Sequence, residues 1–281
     1  MVRVVAPSAS PEAVGEAKHL FFAGRPFVFP TETVYGLGCR PGAAEEGVYG
    51  IKGRPRTKPL TLHCSSLDLV VEYLGLEEGR DILRRLLPGP VNVITGKGVG
   101  VRVFEHPFIR AFCREVREPL AATSANTSSL PSHVTAESAY ADLGDAVPLY
   151  LDGGRTEFGI ESTVLDLRGR PRILRPGAMP PEAIEDALGE EVEVLPPRGG
   201  GSLGGKIGIF VRRGARIPIL PRSVTVGVGE GRIQVWERGE LYPVLWELIR
   251  DPTVRYVIFL EPDDLVLKHR MFYFSQRVIK S

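Results

Sequence analysis

Two prolines followed by five glycines within eight residues, Pro196-Pro197-Arg198-Gly199-Gly200-Gly201-Ser202-Leu203-Gly204-Gly205, interrupt the chain well past its middle. Proline has no amide proton to give and glycine loses the most freedom on ordering. Such a run cannot sit inside a helix or a central strand. It reads as a hinge or mobile loop. It divides the 281 residues into a large domain over 1–195, a linker over 196–206 and a small C-terminal α/β domain over 207–281. The large part is long enough to bury a sizeable core, and a hydrophobic content of 43% supports one.

Elsewhere, glycine and proline punctuate many short elements with no repeat period. Ser10 can cap a first helix that opens with Pro11 and stops at Gly24. Short apolar runs predict strands at Phe27–Phe29, Leu60–His63, Val91–Thr95, Val99–Val103, Leu120–Ala122, Thr163–Leu167 and Ile173–Leu174. Helical patterns fall at Leu67–Leu74, Asp81–Leu87, Phe108–Arg117 and Pro181–Leu188. Beyond the linker, strands are expected at 206–211, 223–228, 232–237 and 256–260, and helices at 241–249 and 272–279. Strands alternating with helices predict a sheet layered by helices.

Several function classes are disfavoured at once. Charged residues are 25% of the chain and mean hydropathy is −0.00, which suits neither a disordered chain nor a membrane one. No apolar run reaches the roughly 18 residues of a membrane span, and the first residues are too broken for a signal peptide. A net charge of +1 argues against broad binding to nucleic acid. Three cysteines with no C-x-x-C pair argue against a disulfide framework or a cysteine-held zinc, and a reducing cytoplasm is the expected setting. No G-x-x-x-x-G-K-[ST] phosphate loop, G-x-S-x-G elbow or H-E-x-x-H pair is present.

Three polar clusters stand out. Pro30-Thr31-Glu32-Thr33-Val34-Tyr35-Gly36-Leu37-Gly38 follows a short strand and carries hydroxyls, a carboxylate and a phenol. It reads as a ligand-gripping loop or as a Thr/Gly-rich turn. Lys52-Gly53-Arg54-Pro55-Arg56-Thr57-Lys58-Pro59 places four cations in a stretch that prolines keep out of regular helix. They can hold phosphate oxygens or form a solvated basic loop. His63 beyond it is either a satisfied core histidine or a site residue. Thr123-Ser124-Ala125-Asn126-Thr127-Ser128-Ser129 ends a buried strand in short polar side chains, able to meet phosphate or to cap a turn. The chain uses asparagine only twice, as expected under selection for heat, and spends one at position 126. Chemistry alone stops at a concave site for an anionic ligand.

In this order the clusters resemble the YrdC-like family of threonylcarbamoyl-AMP synthases. The matching residues are 30–38, Lys52-Gly53-Arg54-Pro55, Leu87-Pro88-Gly89-Pro90, Val101-Arg102-Val103, Ser124-Ala125-Asn126, Glu161-Ser162-Thr163-Val164 and Leu174-Arg175-Pro176-Gly177. The likeness covers roughly residues 10–195, and the tail is similar to the C-terminal domain of the two-domain branch. The resemblance implies a twisted open mixed sheet with flanking helices. It implies an enzyme, a nucleotidyltransferase that condenses L-threonine, bicarbonate and ATP into threonylcarbamoyl-AMP, releasing pyrophosphate. A partner complex then transfers the group to adenosine in tRNA.

By the same resemblance Lys52, Arg54, Ser124 and Asn126 form the catalytic set. Thr31, His63, Arg102, Ala122 and Ser162 contact threonine. Arg54, Lys58, Gly98, Ser124, Ser132 and Arg175 contact ATP. Magnesium would accompany ATP with few dedicated protein ligands, and no protein metal site is implied. Two departures stand out: Lys58 occupies a position where the family often has Asn, and the linker lacks the family's usual His-Tyr segment. The competing readings are a carbamoyladenylate-forming transferase, which would need further segments absent here, and a non-catalytic RNA-binding module using residues 52–58.

Overall fold

The structure is a computed structural model that describes residues 3–5, 7–76, 79–196, 199–203, 205, 207–211, 223–227, 233–234, 240–254, 256–260, 262, 264–275 and 277–279. The chain forms two compact units, Met1–Ser128 with Ser132–Leu195, and Ser129–Pro131 with Pro196–Ser281.

The first unit contains strands β1 (Arg3–Val5), β2 (Phe27–Phe29), β3 (Gly36–Cys39), β4 (Thr61–Cys64), β5 (Val91–Ile94), β6 (Gly100–Val103), β7 (Leu120–Ser124), β8 (Leu149–Leu151), β9 (Thr163–Asp166), β10 (Arg172–Arg175) and β11 (Glu193–Val194). Its helices are α1 (Pro11–Phe22), α2 (Glu45–Lys52), α3 (Leu67–Leu74), α4 (Arg80–Leu86), α5 (Pro107–Val116), α6 (Ala136–Leu143) and α7 (Pro181–Leu188). The strands form one mixed sheet in the order β1-β8-β2-β3-β7-β4-β6-β5-β9-β10-β11. This is the expected mixed sheet with flanking helices.

Local chemistry sets the helix ends. Ser10 accepts the Ala13 amide at 3.1 Å and Pro11 opens α1. Pro107 opens α5, whose cap is the His106 ring, accepting the Phe108 amide at 3.2 Å. The sheet is buried on both faces. Phe27 and Phe29 join an apolar cluster with α1, α3, α4, α5 and α7, while Val28 between them joins a second cluster with α2 and α6. Six phenylalanines (Phe21, Phe27, Phe29, Phe104, Phe108, Phe112) are fully buried in the first cluster. Each contributes about 1.5–3 kcal/mol by burial.

Several segments of this unit differ from the sequence expectation. Residues 36–39 are strand β3, not the rest of a loop. Its glycines are steric necessities: a Cβ on Gly36 would stand 2.6 Å from the Phe29 ring, and one on Gly38 2.8 Å from Leu120. Lys52 is not in an irregular loop. It is the last residue of α2, which Gly53 ends at φ 58°. Helices α2 and α6 and strand β8 carry short or alanine-rich patterns that no sequence signal marked.

The second unit contains strands β12 (Ile207–Val211), β13 (Ser223–Gly227), β14 (Ile233–Gln234), β15 (Tyr256–Leu260) and β16 (Arg277–Ile279), with helices α8 (Leu241–Arg250) and α9 (Leu265–Tyr273). Its sheet runs β14-β13-β15-β12-β16 and every pairing is parallel. The helix expected at 272–279 is corrected: α9 ends at Tyr273, and β-branched Val278 and Ile279 pair beside Phe210 and Val211. Of the strand expected at 232–237, residues 233–234 are described and the rest lie outside the described residues. In the Pro/Gly stretch, Gly200 and Gly201 donate to the Tyr273 carbonyl at 3.2 and 2.8 Å, and Leu203 is buried. Arg198 and Lys206 lie outside the described residues. Among the described residues no helix is long and apolar enough to cross a membrane.

Candidate active site

Sheet register gathers the polar positions. β3 and β7 pair antiparallel, matching Gly36 with Ser124 and Gly38 with Ala122. β7 pairs with β4, matching Ala122 with Thr61, and β4 with β6, matching His63 with Arg102 and Thr61 with Gly100. The 30–35 loop, the exit of β7 and the entries to β4 and β6 therefore share one end of the central strands. Lys58 precedes β4 there, and Gly98 precedes β6 in a turn at φ 76° whose amide donates to Thr95 O at 2.7 Å.

Lys52 reaches into this end from α2. Its Nζ donates to the carbonyls of Ser124 and Asn126 and lies 3.4 Å from Asn126 Oδ1. The Lys52 carbonyl accepts the Ser128 amide at 2.8 Å, and Ser124 Oγ donates to Asn126 Oδ1 at 2.5 Å. Lys52, Ser124 and Asn126 thus form one knot. Burial first, and then the charge of Arg54, pull the Lys52 ammonium down to about 7, with the Asp142 and Glu161 carboxylates pushing the other way. Asp142 braces the knot from α6: it accepts the Thr127 amide at 2.7 Å and hydroxyl at 2.8 Å and pairs with His133 Nε2 at 3.0 Å. Against the upward push of burial, these bonds hold the Asp142 carboxyl below its ordinary range.

Arg54 is partly buried and folds over its own loop, Nε donating to Lys58 O at 2.8 Å and Nη2 to Pro59 O at 3.2 Å. Lys58 is exposed. Arg56 points away and pairs with Glu46. The four cations of this stretch therefore sit in four different surroundings.

A second knot surrounds Arg102. Its Nη2 donates to Glu32 Oε1 at 2.7 Å and to Thr33 Oγ1 at 2.5 Å, and its guanidinium lies 5.0 Å from the Phe104 ring centre. Thr31 Oγ1 donates to Val34 O at 2.6 Å and sits 3.1 Å from Thr33 Oγ1, which links it to Arg102. His63 packs edge-on to Phe29 and Phe104. Burial, and then the neighbouring Arg102 charge, push its imidazole down to about 3, so it is neutral at physiological pH. Tyr35 is a fully buried strut: its hydroxyl donates to Gly154 O at 2.6 Å and burial pushes it up to about 12.

The remaining expected residues sit in pairs. Ser132 Oγ donates to Glu161 Oε1 at 2.8 Å, and Arg175 Nη2 donates to Ser162 O at 2.6 Å. Ala122 contributes a buried methyl from β7. Sequence reasoning assigned no role to Glu32, Thr33, Asp142, His133 or Asn92. Asn92 donates to Thr61 Oγ1 at 2.9 Å and stands within 2.9 Å of where a Gly100 Cβ would lie. Its signal was available, because it is the other of the two asparagines.

The family model for Sua5, YciO and YrdC, described as telomere recombination, matches residues 19–177. The chain belongs to the Sua5/YciO/YrdC family. The threonylcarbamoyl-AMP synthase of Pyrococcus abyssi is 36% identical over 186 residues, 59% of this chain and 54% of that protein. The synthase of Bacillus subtilis is 33% identical over 201 residues, 65% of this chain and 58% of that protein. The chain therefore spans little more than half the length of these relatives. The solved structure of Pyrococcus abyssi Sua5 complexed with L-threonine aligns with 97% of this chain and 96% of that one, at a TM-score of 0.79 and 23% identity. That likeness carries the fold. The Sua5/YciO/YrdC assignment also fits the order of the polar clusters, because both knots fall inside residues 19–177.

Proposed function

We propose that this chain is an L-threonylcarbamoyladenylate synthase. It condenses L-threonine, bicarbonate and ATP into threonylcarbamoyl-AMP and releases pyrophosphate. A separate transferase complex then moves the threonylcarbamoyl group to adenosine in tRNA. ATP and tRNA as substrates suit a cytoplasmic setting. The names of the relatives and the bound threonine of the Pyrococcus abyssi structure support the reading.

The observation that carries it is the Lys52–Ser124–Asn126 knot, a buried ammonium tied to the exit of β7. The chemistry needs such a group. Bicarbonate must first carboxylate the unprotonated threonine amine, with loss of water. The resulting carbamate oxygen then attacks the α-phosphorus of ATP, so two anions must approach. Lys52 and Arg54 offset that repulsion, while Ser124 and Asn126 fix Lys52 and the phosphate face. Arg102 takes the threonine carboxylate, with Thr31, His63, Ala122 and Ser162 around it. Lys58, Gly98, Ser132 and Arg175 hold the nucleotide. Magnesium enters with ATP as part of the substrate and neutralises phosphate charge.

The test is pyrophosphate release from ATP with threonine and bicarbonate omitted in turn. Release should need both. Release that needs neither would overturn the assignment.

A further inference from the structure

The Glu32–Arg102 pair carries a feature that a purely structural ion pair does not need. Only one oxygen of Glu32 is engaged: Oε1 accepts from Arg102, while Oε2 is buried and has no hydrogen-bond partner. Arg102 is engaged through Nη2, while its Nε is also buried without a partner. The side chains are 11% and 5% exposed. A buried carboxylate oxygen and a buried guanidinium N–H each carry a desolvation cost when left unmade. Here one acceptor and one donor are left over on two bonded partners whose charges cancel.

A simple anion would match Arg102 and be repelled by Glu32. A simple cation would do the reverse. The ligand that satisfies both leftover groups has an anionic acceptor and a cationic donor close together and no net charge. A free α-amino acid has that form.

We propose that Glu32 is a specificity-determining residue of the amino-acid pocket: its Oε2 receives the α-ammonium while Arg102 takes the α-carboxylate, so the pocket selects a zwitterion. The inference rests on the threonine reading above and adds to it a residue and a rule of selection. Thr33, bonded to the same Nη2, holds the guanidinium in place when the ligand arrives. Acids that lack the ammonium should be rejected even when their carboxylate and side chain are unchanged.

The test is calorimetric titration of the full chain with L-threonine and with its 2-hydroxy analogue, in which a hydroxyl replaces the ammonium. Wild-type protein should bind the analogue about 10- to 100-fold more weakly, the range of a charge-assisted hydrogen bond. Glu32→Gln should weaken L-threonine and narrow the gap between the two ligands to within about threefold. Equal binding of the two ligands by wild-type protein overturns the proposal without any variant. An unchanged gap in Glu32→Gln overturns it too, and leaves the threonine reading standing. If wild-type protein binds neither ligand, the threonine reading falls and takes this one with it.

Discussion

Lys52 and Arg102 are both buried cations, 2% and 4% exposed, yet the protein treats them in opposite ways. Arg102 meets a carboxylate at 2.7 Å, so its charge is cancelled on the spot. Lys52 meets the carbonyls of Ser124 and Asn126, which accept its protons but carry no charge. No carboxylate among the described residues lies within ion-pair distance of it, and Asp142 and Glu161 act on it only from further off. The difference teaches what each part of the proposed site is suited to receive. An uncancelled ammonium suits a polyanion. A cancelled guanidinium suits a ligand that brings both signs with it.

The largest effect should come from opening the closed pair. Arg102→Leu leaves Glu32 buried and unopposed, with an expected loss of about 3–5 kcal/mol in denaturant unfolding. Adding Glu32→Leu should restore much of it. A single variant as stable as wild type would mean that the pair is not closed in solution.

Next in size is the buried charge that no carboxylate cancels. Lys52→Met should lower threonine-dependent pyrophosphate release about 100- to 1000-fold, and Arg54→Ala should abolish it, with threonine binding retained in both. Loss of threonine binding instead would merge the two cations into one function.

A smaller effect sharpens the contrast by proton counting. With the Lys52 ammonium near 7 in the free protein, a bound polyphosphate must raise it. Nucleotide binding a little above pH 7 should then take up a fraction of one proton, read from calorimetry in buffers of different ionisation heat. The uptake should vanish in Lys52→Met, and threonine binding should show none at the same pH. The smallest effect concerns the outlying cation. Arg56→Ala, which loses an exposed pair with Glu46, should cost less than about 1 kcal/mol and leave turnover unchanged.

The Lys52–Asn126 knot was legible in the sequence because both residues stand in short unusual strings, and Asn126 is rare in this composition. The helix that delivers Lys52 was not, because Gly47 and Gly50 lie inside α2 and its burial comes from tertiary packing. β3 was hidden for a related reason. Gly-Leu-Gly-Cys has little strand propensity, and only the Phe29 and Leu120 side chains pressing on it explain the glycines. Glu32 was in plain view inside the 30–38 string. Its partner lies 70 residues away, however, and nothing local shows that one of its oxygens ends up buried and unmatched. Asp142 gave no local sign at all, being one carboxylate on an ordinary helix.

The cancelled charge at Arg102 has a further consequence, for ionic strength. A pocket end with no net charge projects little field beyond a Debye length, about 8 Å in physiological salt. Under the proposed function, added salt should therefore slow the arrival of ATP at Lys52 and leave the amino acid almost untouched. Under that function the two ligands would respond differently to the same solution, and in dilute buffer the nucleotide would find its place by attraction while threonine finds it by diffusion alone.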